Sequence, residues 1–303
     1  IANKYRLSDN YYDENDNLII PFGTNLFIEN FENSLISTLT QEEQAALRSI
    51  SERRNRLTVN NLILGSSLSL NYNNQENLLD EDFYQLRWKI EWVGNLLNSF
   101  LKTTSEKNIY GNYEINGVTP SQYIKTDIDL IKHVSVGRDR IFAFRFFSGL
   151  ALPVGNSTNI PFSRSYFAGG ANDNRAWKAY KLGPGTSDNN NEFNEANLKI
   201  SMNMEYRFPL SGPLKGAVFI DSGNIWNFKD NVIDPKASFD SIADLSEIAI
   251  GSGIGLRYDF DFFVFRFDTG FKTFNPSLEK NKRWLSEFSL KQAVFNIGIN
   301  YPF

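Results

Sequence analysis

The chain has 303 residues, of which 41% are hydrophobic, enough to form one large domain. It contains no cysteine, which excludes disulfides and thiolate chemistry, and its single histidine, His133, disfavours histidine-based zinc sites and most acid–base catalysis. The net charge of −4 gives no indication of nucleic-acid binding, and no stretch approaches the roughly 18 consecutive apolar residues of a transmembrane helix.

Residues 1–56 form a polar, mixed segment ahead of the regular part of the chain. The stretch from Asn17 to Phe27 is compatible with a strand remnant. Thr40 followed by Glu43 is a capping-box signature, which predicts a short helix from Gln41 to Arg54. Because the sequence begins with isoleucine and carries no signal peptide, we expect it to be a piece of a longer precursor.

From residue 57 to residue 303 the pattern becomes regular, with several stretches in which apolar and polar side chains alternate. In Tyr84 to Trp92, and again in Leu198 to Phe208, the even positions are apolar or aromatic and the odd positions are polar or charged. This period of two predicts β-strands with one apolar and one polar face. We predict nine of them, near residues 57–72, 83–95, 122–135, 139–150, 197–208, 214–227, 248–258, 261–271 and 293–303.

The orientation of these strands follows from their length, their aromatic residues and their connections. They are long, and many aromatic side chains on the apolar face lie near strand ends, as in the interfacial girdles of membrane barrels. Short connections alternate with long ones, which is typical of bacterial outer-membrane barrels. We therefore predict an all-β, antiparallel transmembrane barrel whose apolar side chains contact lipid, with the carboxyl terminus on the periplasmic side.

The last residues of the chain contain Asn296, Gly298, Tyr301 and Phe303. A polar residue and a glycine, followed by aromatic residues at the third-last and last positions, resemble the sorting signal of outer-membrane barrels. Pro302 departs mildly from that pattern, although proline is tolerated at a strand end.

A second resemblance lies in the long connection from Leu152 to Ala196, which we call the lumen loop. Its glycines and its Asn-Arg-Ala-Trp segment resemble the long loop of the BamA/TamA superfamily of outer-membrane protein insertases, which carries a hydrophobic–Arg–Gly–aromatic tetrad. Arg175 and Trp177 match the tetrad, whereas Asn174 and Ala176 replace its aliphatic residue and its glycine. The loop motif comprises Gly169, Gly170, Asn174, Arg175, Ala176, Trp177, Gly183 and Gly185.

The segment from Phe219 to Gly223 resembles the aromatic–x–Asp–x–Gly strand motif of the same superfamily. The resemblance implies that the lumen loop folds back into the barrel and that Arg175 pairs there with Asp221. Glycines Gly251, Gly253 and Gly255 lack the strand–turn–helix setting of a dinucleotide loop, so we predict that they form a thin part of the strand wall.

The family barrel has sixteen strands, so the resemblance implies that residues 57–303 are its carboxy-terminal nine and that residues 1–56 belong to an extracellular loop region. Nine strands alone would leave unpaired edges in lipid, so we expect other segments to complete the wall. The implied activity is insertion of outer-membrane proteins, or translocation of a substrate, at a seam between the first and last strands. The implied partners are outer-membrane lipid, client outer-membrane proteins or a secreted substrate, and accessory assembly subunits, with no cofactor, metal or enzymatic chemistry.

Four other functions can be weighed from the sequence. A two-partner secretion pore shares both motifs, and a barrel fused to a periplasmic domain outside this sequence is compatible with it. A passive porin would have no use for the loop tetrad and its aspartate partner. A barrel enzyme would need a nucleophile with a base, which the single histidine and the lack of cysteine disfavour.

Overall fold

The computed structural model describes residues 61–77, 80–104, 107, 113–116, 118–155, 157–187, 194–230, 234–260 and 262–303. The predicted strand remnant and the predicted helix from Gln41 to Arg54 lie outside the described residues.

Nine antiparallel strands form one sheet in which each strand pairs with its neighbours in sequence. This confirms the predicted all-β, antiparallel fold. Within the described residues no pairing joins the last strand back to the first, so the sheet is open, as expected for part of a larger wall. The strands are β1 (Gly65–Asn73), β2 (Tyr84–Val93), β3 (Tyr123–Gly137), β4 (Arg140–Pro153), β5 (Leu198–Ser211), β6 (Leu214–Trp226), β7 (Ala249–Asp259), β8 (Val264–Phe274) and β9 (Val294–Ile299).

The two faces of the sheet have opposite character because the side chains alternate along every strand. On the outer face, Trp88, Met204 and Phe265 are 39%, 37% and 41% exposed. On the inner face, charged residues such as Glu205 and Asp221 are fully buried. A soluble sandwich buries its apolar face, whereas a lipid-facing barrel exposes it and keeps its polar residues inside. The arrangement therefore matches the barrel orientation predicted from the sequence.

A helix that was not predicted is present in the connection between β2 and β3. This helix, α1 (Asn95–Thr104), buries Leu101 and exposes Leu96 and Phe100. The spacing of its apolar residues fits a helix, and this signal could have been used to predict it. None of the helices in the described ranges is long and apolar enough to cross a membrane. Short 3-10 helices lie at Phe162–Arg164, Pro235–Ala237, Ile242–Glu247 and Lys280–Lys282.

The last strand is shorter than predicted. It ends at Ile299 rather than at Phe303, because Asn300 adopts a positive φ of 64° that turns the chain away from the ladder. Pro302 follows and has no N–H to donate to a neighbouring strand. The final aromatic residues leave the sheet and approach Arg207 on the inner face of β5.

The lumen loop begins at the end of β4 and lies over the inner face of the sheet. Its apolar residues pack against inner-face side chains of several strands in one buried cluster. Burial of these side chains fixes the loop against the wall, since each large side chain removed from water contributes about 1.5–3 kcal/mol. The cluster contains Val93, Tyr123, Ala151, Ile160, Tyr166, Ala168, Ala176, Trp177, Leu182, Ala196, Ile225 and Ala249.

Candidate functional site: the lumen loop tip and a buried charge cluster

Local hydrogen bonds shape the tip of the lumen loop. The Gly169 N–H donates to Asp173 Oδ2 at 2.7 Å, and the Gly170 N–H donates to the Trp177 carbonyl at 2.8 Å. Gly169 has a φ of +89°, and a Cβ added there would collide with the Lys178 carbonyl. Only glycine fits this turn. The turn directs the tip, residues 171–176, against the inner face.

Arg175 is fully buried at this tip and binds Asp221 of β6 through three hydrogen bonds. Its Nε and Nη2 donate to the two carboxylate oxygens at 2.8 and 2.9 Å, and its backbone N–H donates to Oδ2 at 3.0 Å. The bidentate contact fixes the plane of the guanidinium as well as its position. The structure therefore brings together the two residues that the resemblance pairs.

Two further contacts surround the same guanidinium. Its Nη1 also donates to Glu205, and its Cζ lies 3.5 Å from the ring centroid of Phe219. Burial alone would lower the pKa of Arg175, but the neighbouring carboxylates more than offset this effect and raise it. The side chain is therefore a permanent cation, held between carboxylates and the face of an aromatic ring.

The site extends into a buried ion-pair cluster that joins β5, β6, β7, β8 and the lumen loop. Arg257 links two of its carboxylates, with Nη2 3.0 Å from Glu205 and Nη1 2.6 Å from Asp268. Near balance of charge is what makes such burial tolerable, since an unpaired charge in this environment would cost several kcal/mol. The cluster contains four arginines and three carboxylates: Arg175, Arg207, Arg257, Arg266, Glu205, Asp221 and Asp268.

Asn174, which departs from the family tetrad, also holds the tip. Its Nδ2 lies 3.5 Å from the Asp221 carbonyl, and its Oδ1 accepts from the Ala176 N–H at 3.3 Å. A neighbouring amide on β5 adds to this, because Asn203 Nδ2 donates to Asp221 Oδ1 at 2.9 Å and to the Asp173 carbonyl at 2.8 Å. A polar residue thus takes the place of an aliphatic one by hydrogen bonding to the strand beneath it.

The remaining motif residues lie around the base of the tip. Trp177 is buried, with the Lys272 ammonium 5.8 Å from its ring. The Gly185 N–H donates to the Ile225 carbonyl at 2.8 Å, which ties the loop to the end of β6. Gly170, Gly183 and Gly185 all have positive φ. Gly223 pairs with β5, where an added Cβ would lie 2.8 Å from the Ile200 carbonyl.

The predicted last-strand residues also approach the site. Asn296 Nδ2 donates to the Arg175 carbonyl at 2.9 Å, and Gly298 lies beside Arg266. Arg207 has its Cζ 4.0 Å from the ring centroid of Tyr301, and its Nη2 donates to the Phe303 carbonyl at 3.2 Å. The four residues therefore contact the buried cluster or the loop tip, a connection that the sorting-signal resemblance did not suggest.

Sequence reasoning missed Glu205, Arg257 and Asp268 as site residues. A signal was present, because all three alternate with apolar neighbours and so belong to the inner face of their strands. In the part of the chain that the structure describes, no group of three or more His, Cys, Asp or Glu side chains is placed to hold a metal ion.

A wall with an apolar outer face and an inner face covered by an anchored loop defines the class of transmembrane β-barrels with a loop in the lumen. The family model of the Omp85 superfamily domain matches residues 3–303, and the chain belongs to the Omp85 superfamily. This confirms the superfamily inferred from the loop and strand motifs and assigns the chain to an outer-membrane β-barrel.

The comparison with solved structures finds BamA from Haemophilus ducreyi, crystallised without its POTRA domains 1–3. The identity is 12% and the TM-score is 0.45, over 78% of this chain and 53% of that one. The chain thus spans about half the length of that structure. No curated protein matches the sequence.

Proposed function

We propose that the protein inserts β-barrel proteins into the outer membrane, or translocates a protein substrate across it, through a lateral seam at β9. In this proposal the lumen loop, locked by Arg175 and Asp221, keeps the wall rigid while the seam opens. The clients are unfolded outer-membrane proteins or a secreted substrate, and accessory assembly subunits are further partners. The step is mechanical and needs no bond chemistry.

The observation that carries this proposal is the lumen loop anchored in the buried cluster. A passive pore gains nothing from a loop that lies on the inner face of its wall and holds three carboxylates around one guanidinium. A wall that opens at one edge needs a rigid remainder, and buried charge pairs that lose one partner cost about 3–5 kcal/mol, which makes this anchor hard to release. Membership of the Omp85 superfamily supports the same proposal.

The edge of the sheet supports the seam. β9 is six residues long and pairs with β8, and within the described residues its other edge has no partner strand. Unpaired backbone N–H and C=O groups at such an edge are a template for another strand. We propose that a client strand adds there by β-augmentation, with the carboxyl terminus on the periplasmic side.

Site-specific photo-crosslinking tests the seam. A photoreactive amino acid is placed at Ile297, on the outer face of β9, or at Met204, on the outer face of the central strand β5. Both side chains are exposed on the outer face, so a probe at either position is accessible to a client. In the full-length protein reconstituted in vesicles, we expect an unfolded barrel client to cross-link at Ile297 and not at Met204. Equal yields at the two positions would contradict the proposal.

The lock is tested by client insertion in the same vesicles. We expect Arg175→Ala to reduce the insertion rate at least tenfold and Asp221→Asn to reduce it less. Arg140→Ala, at the exposed start of β4, should leave it unchanged. A folded Arg175→Ala protein that inserts clients at the normal rate would refute the role of the lock. If Arg175→Ala fails to fold, the milder Asp221→Asn variant decides the question in the same way.

A further inference from the structure

The hydrogen bond from Asn296 Nδ2 to the Arg175 carbonyl joins the edge strand β9 to the tip of the lumen loop at 2.9 Å. We propose that Asn296 is a latch that couples β9 to the loop, so that the edge strand moves only when the loop tip is released. The term latch is used below for the hydrogen bond between Asn296 Nδ2 and the Arg175 carbonyl. The inference rests on the proposed function, because it assigns the control of seam opening to the lock.

Arg175 is the residue that makes the coupling direct. Its guanidinium binds Asp221 on β6 with donor–acceptor distances of 2.8 and 2.9 Å, while its own carbonyl accepts from β9. Asp221 also accepts from the Arg175 backbone N–H at 3.0 Å, so loss of the contact with β6 releases the backbone that carries the carbonyl. The lock and the latch are therefore two ends of the same side chain and backbone unit.

A glycine on β8 makes the contact possible. Gly270 pairs with Val294 at the start of β9. A Cβ added at Gly270 would collide with the Arg175 carbonyl and lie 2.8 Å from the Ala176 nitrogen. The loop backbone thus lies directly on β8, which brings the carbonyl within reach of the neighbouring strand. With a side chain at this position the loop tip would be held too far away.

The next inner-face position of β9 supports the same loop segment. Gly298 lies against Arg266, and a Cβ added there would lie 2.8 Å from Nη2 of that arginine. Arg266 in turn donates from Nη1 to the Ala171 carbonyl at 2.9 Å and from Nη2 to Asn172. Two consecutive inner-face positions of β9 therefore support the loop tip. Asn296 donates a hydrogen bond to it, and Gly298 leaves room for Arg266, which binds it.

Because β9 is short, the hydrogen bond from Asn296 to the Arg175 carbonyl is a substantial part of what holds the strand in place. The strand has six residues and one partner strand within the described residues, so few backbone bonds hold it. Loss of one hydrogen bond then changes the local opening equilibrium by a large fraction of its total. Releasing the loop tip frees the edge strand, and an intact tip holds it.

Hydrogen–deuterium exchange of the 294–299 segment tests the latch, using the full-length protein in lipid nanodiscs without any client. We expect Asn296→Ala to accelerate exchange about two- to tenfold, which corresponds to the loss of one hydrogen bond. Asn296→Asp, which has a similar shape and no amide donor, should do so at least as strongly. Asn71→Ala, the same change on the inner face of β1, should leave this segment unaffected. Unchanged exchange in both Asn296 variants would overturn the proposal.

A double-variant comparison separates coupling from a local loss of packing. In an Arg175→Ala background the loop tip has lost its guanidinium anchor and the carbonyl is held less firmly, so adding Asn296→Ala should accelerate exchange less than twofold. The full effect of Asn296→Ala in that background would overturn the latch. If Arg175→Ala does not fold, Gly270→Ala provides the same background, because its methyl group displaces the carbonyl. Since no client is present, a failure of the insertion assay contradicts the proposed function and leaves this result unaffected.

Discussion

The methyl group of Ala176 faces Gly251 where the lumen loop meets β7. A Cβ added at Gly251 would lie 2.6 Å from the Ala176 Cβ and 2.5 Å from Asn174 Oδ1. The family tetrad that this loop resembles has a glycine where Ala176 stands. In this protein the wall accommodates the extra methyl group, because the strand opposite has no side chain at that point.

This complementarity makes Gly251→Ala a disruptive substitution. We expect it to lower the free energy of unfolding by about 1–3 kcal/mol, the usual cost of overpacking a buried contact. Adding Ala176→Gly should restore part of that loss, and Ala176→Gly alone should cost less than about 1 kcal/mol. Urea titration of the full-length protein in vesicles measures all three variants. Simple additivity of the two single effects would show that the residues do not share one contact.

The glycines Gly251, Gly253 and Gly255 predicted a thin strand wall, but the sequence contains no reason for the thinness. Alternation assigns each residue to a face of the sheet, so the nine strands and their orientation could be predicted. It does not give the register between strands or the path of a loop across them. For this reason only the structure shows that Glu205 and Asp268 converge on Arg175, with Asp268 Oδ2 3.7 Å from Nη1.

The prediction that the last strand extends to Phe303 was wrong for a related reason. Tyr301 and Phe303 are two residues apart, the spacing of one face of a strand, so the pattern does not show that they leave the sheet. Their contact with Arg207 depends on a residue four strands away, which no local pattern contains. The pairing of Arg175 with Asp221, in contrast, followed from a family resemblance, because a motif carries long-range information that spacing alone lacks.

The bidentate contact of the Arg175 guanidinium with Asp221 predicts that lysine cannot replace this arginine. Arg175→Lys keeps the charge but loses the bidentate contact with Asp221, so we expect a loss of about 3 kcal/mol in the free energy of unfolding. Arg145 provides a matched control, since its Nε and Nη2 bind the two oxygens of Asp129 at 2.8 and 3.0 Å on a more exposed part of the inner face. Arg145→Lys should cost less than about 1 kcal/mol. Equal losses would show that burial in the cluster adds nothing to the pair.

The orientation of the sheet predicts opposite outcomes at adjacent positions of β1. Leu68 lies on the outer face and Ser67, opposite Glu91, on the inner face. We expect Leu68→Arg to destabilise the protein in vesicles by about 2–4 kcal/mol, the cost of a cation on the lipid face. Ser67→Arg should be nearly neutral, because the new charge faces Glu91. A larger cost for Ser67→Arg would reverse the assignment of the faces.

The end of the chain predicts a role for an aromatic ring rather than for a strand bond. Arg207 has its Cζ 4.0 Å from the ring centroid of Tyr301, so the ring covers a buried guanidinium of the cluster. We expect Tyr301→Ala to lower the free energy of unfolding by about 1–2 kcal/mol, the contribution of a desolvated cation–π contact. Tyr301→Phe keeps the ring and should cost less than about 0.5 kcal/mol. Urea midpoints of the two variants in vesicles give the comparison, and equal losses would show that the hydroxyl group, and not the ring, holds the end of the chain to β5.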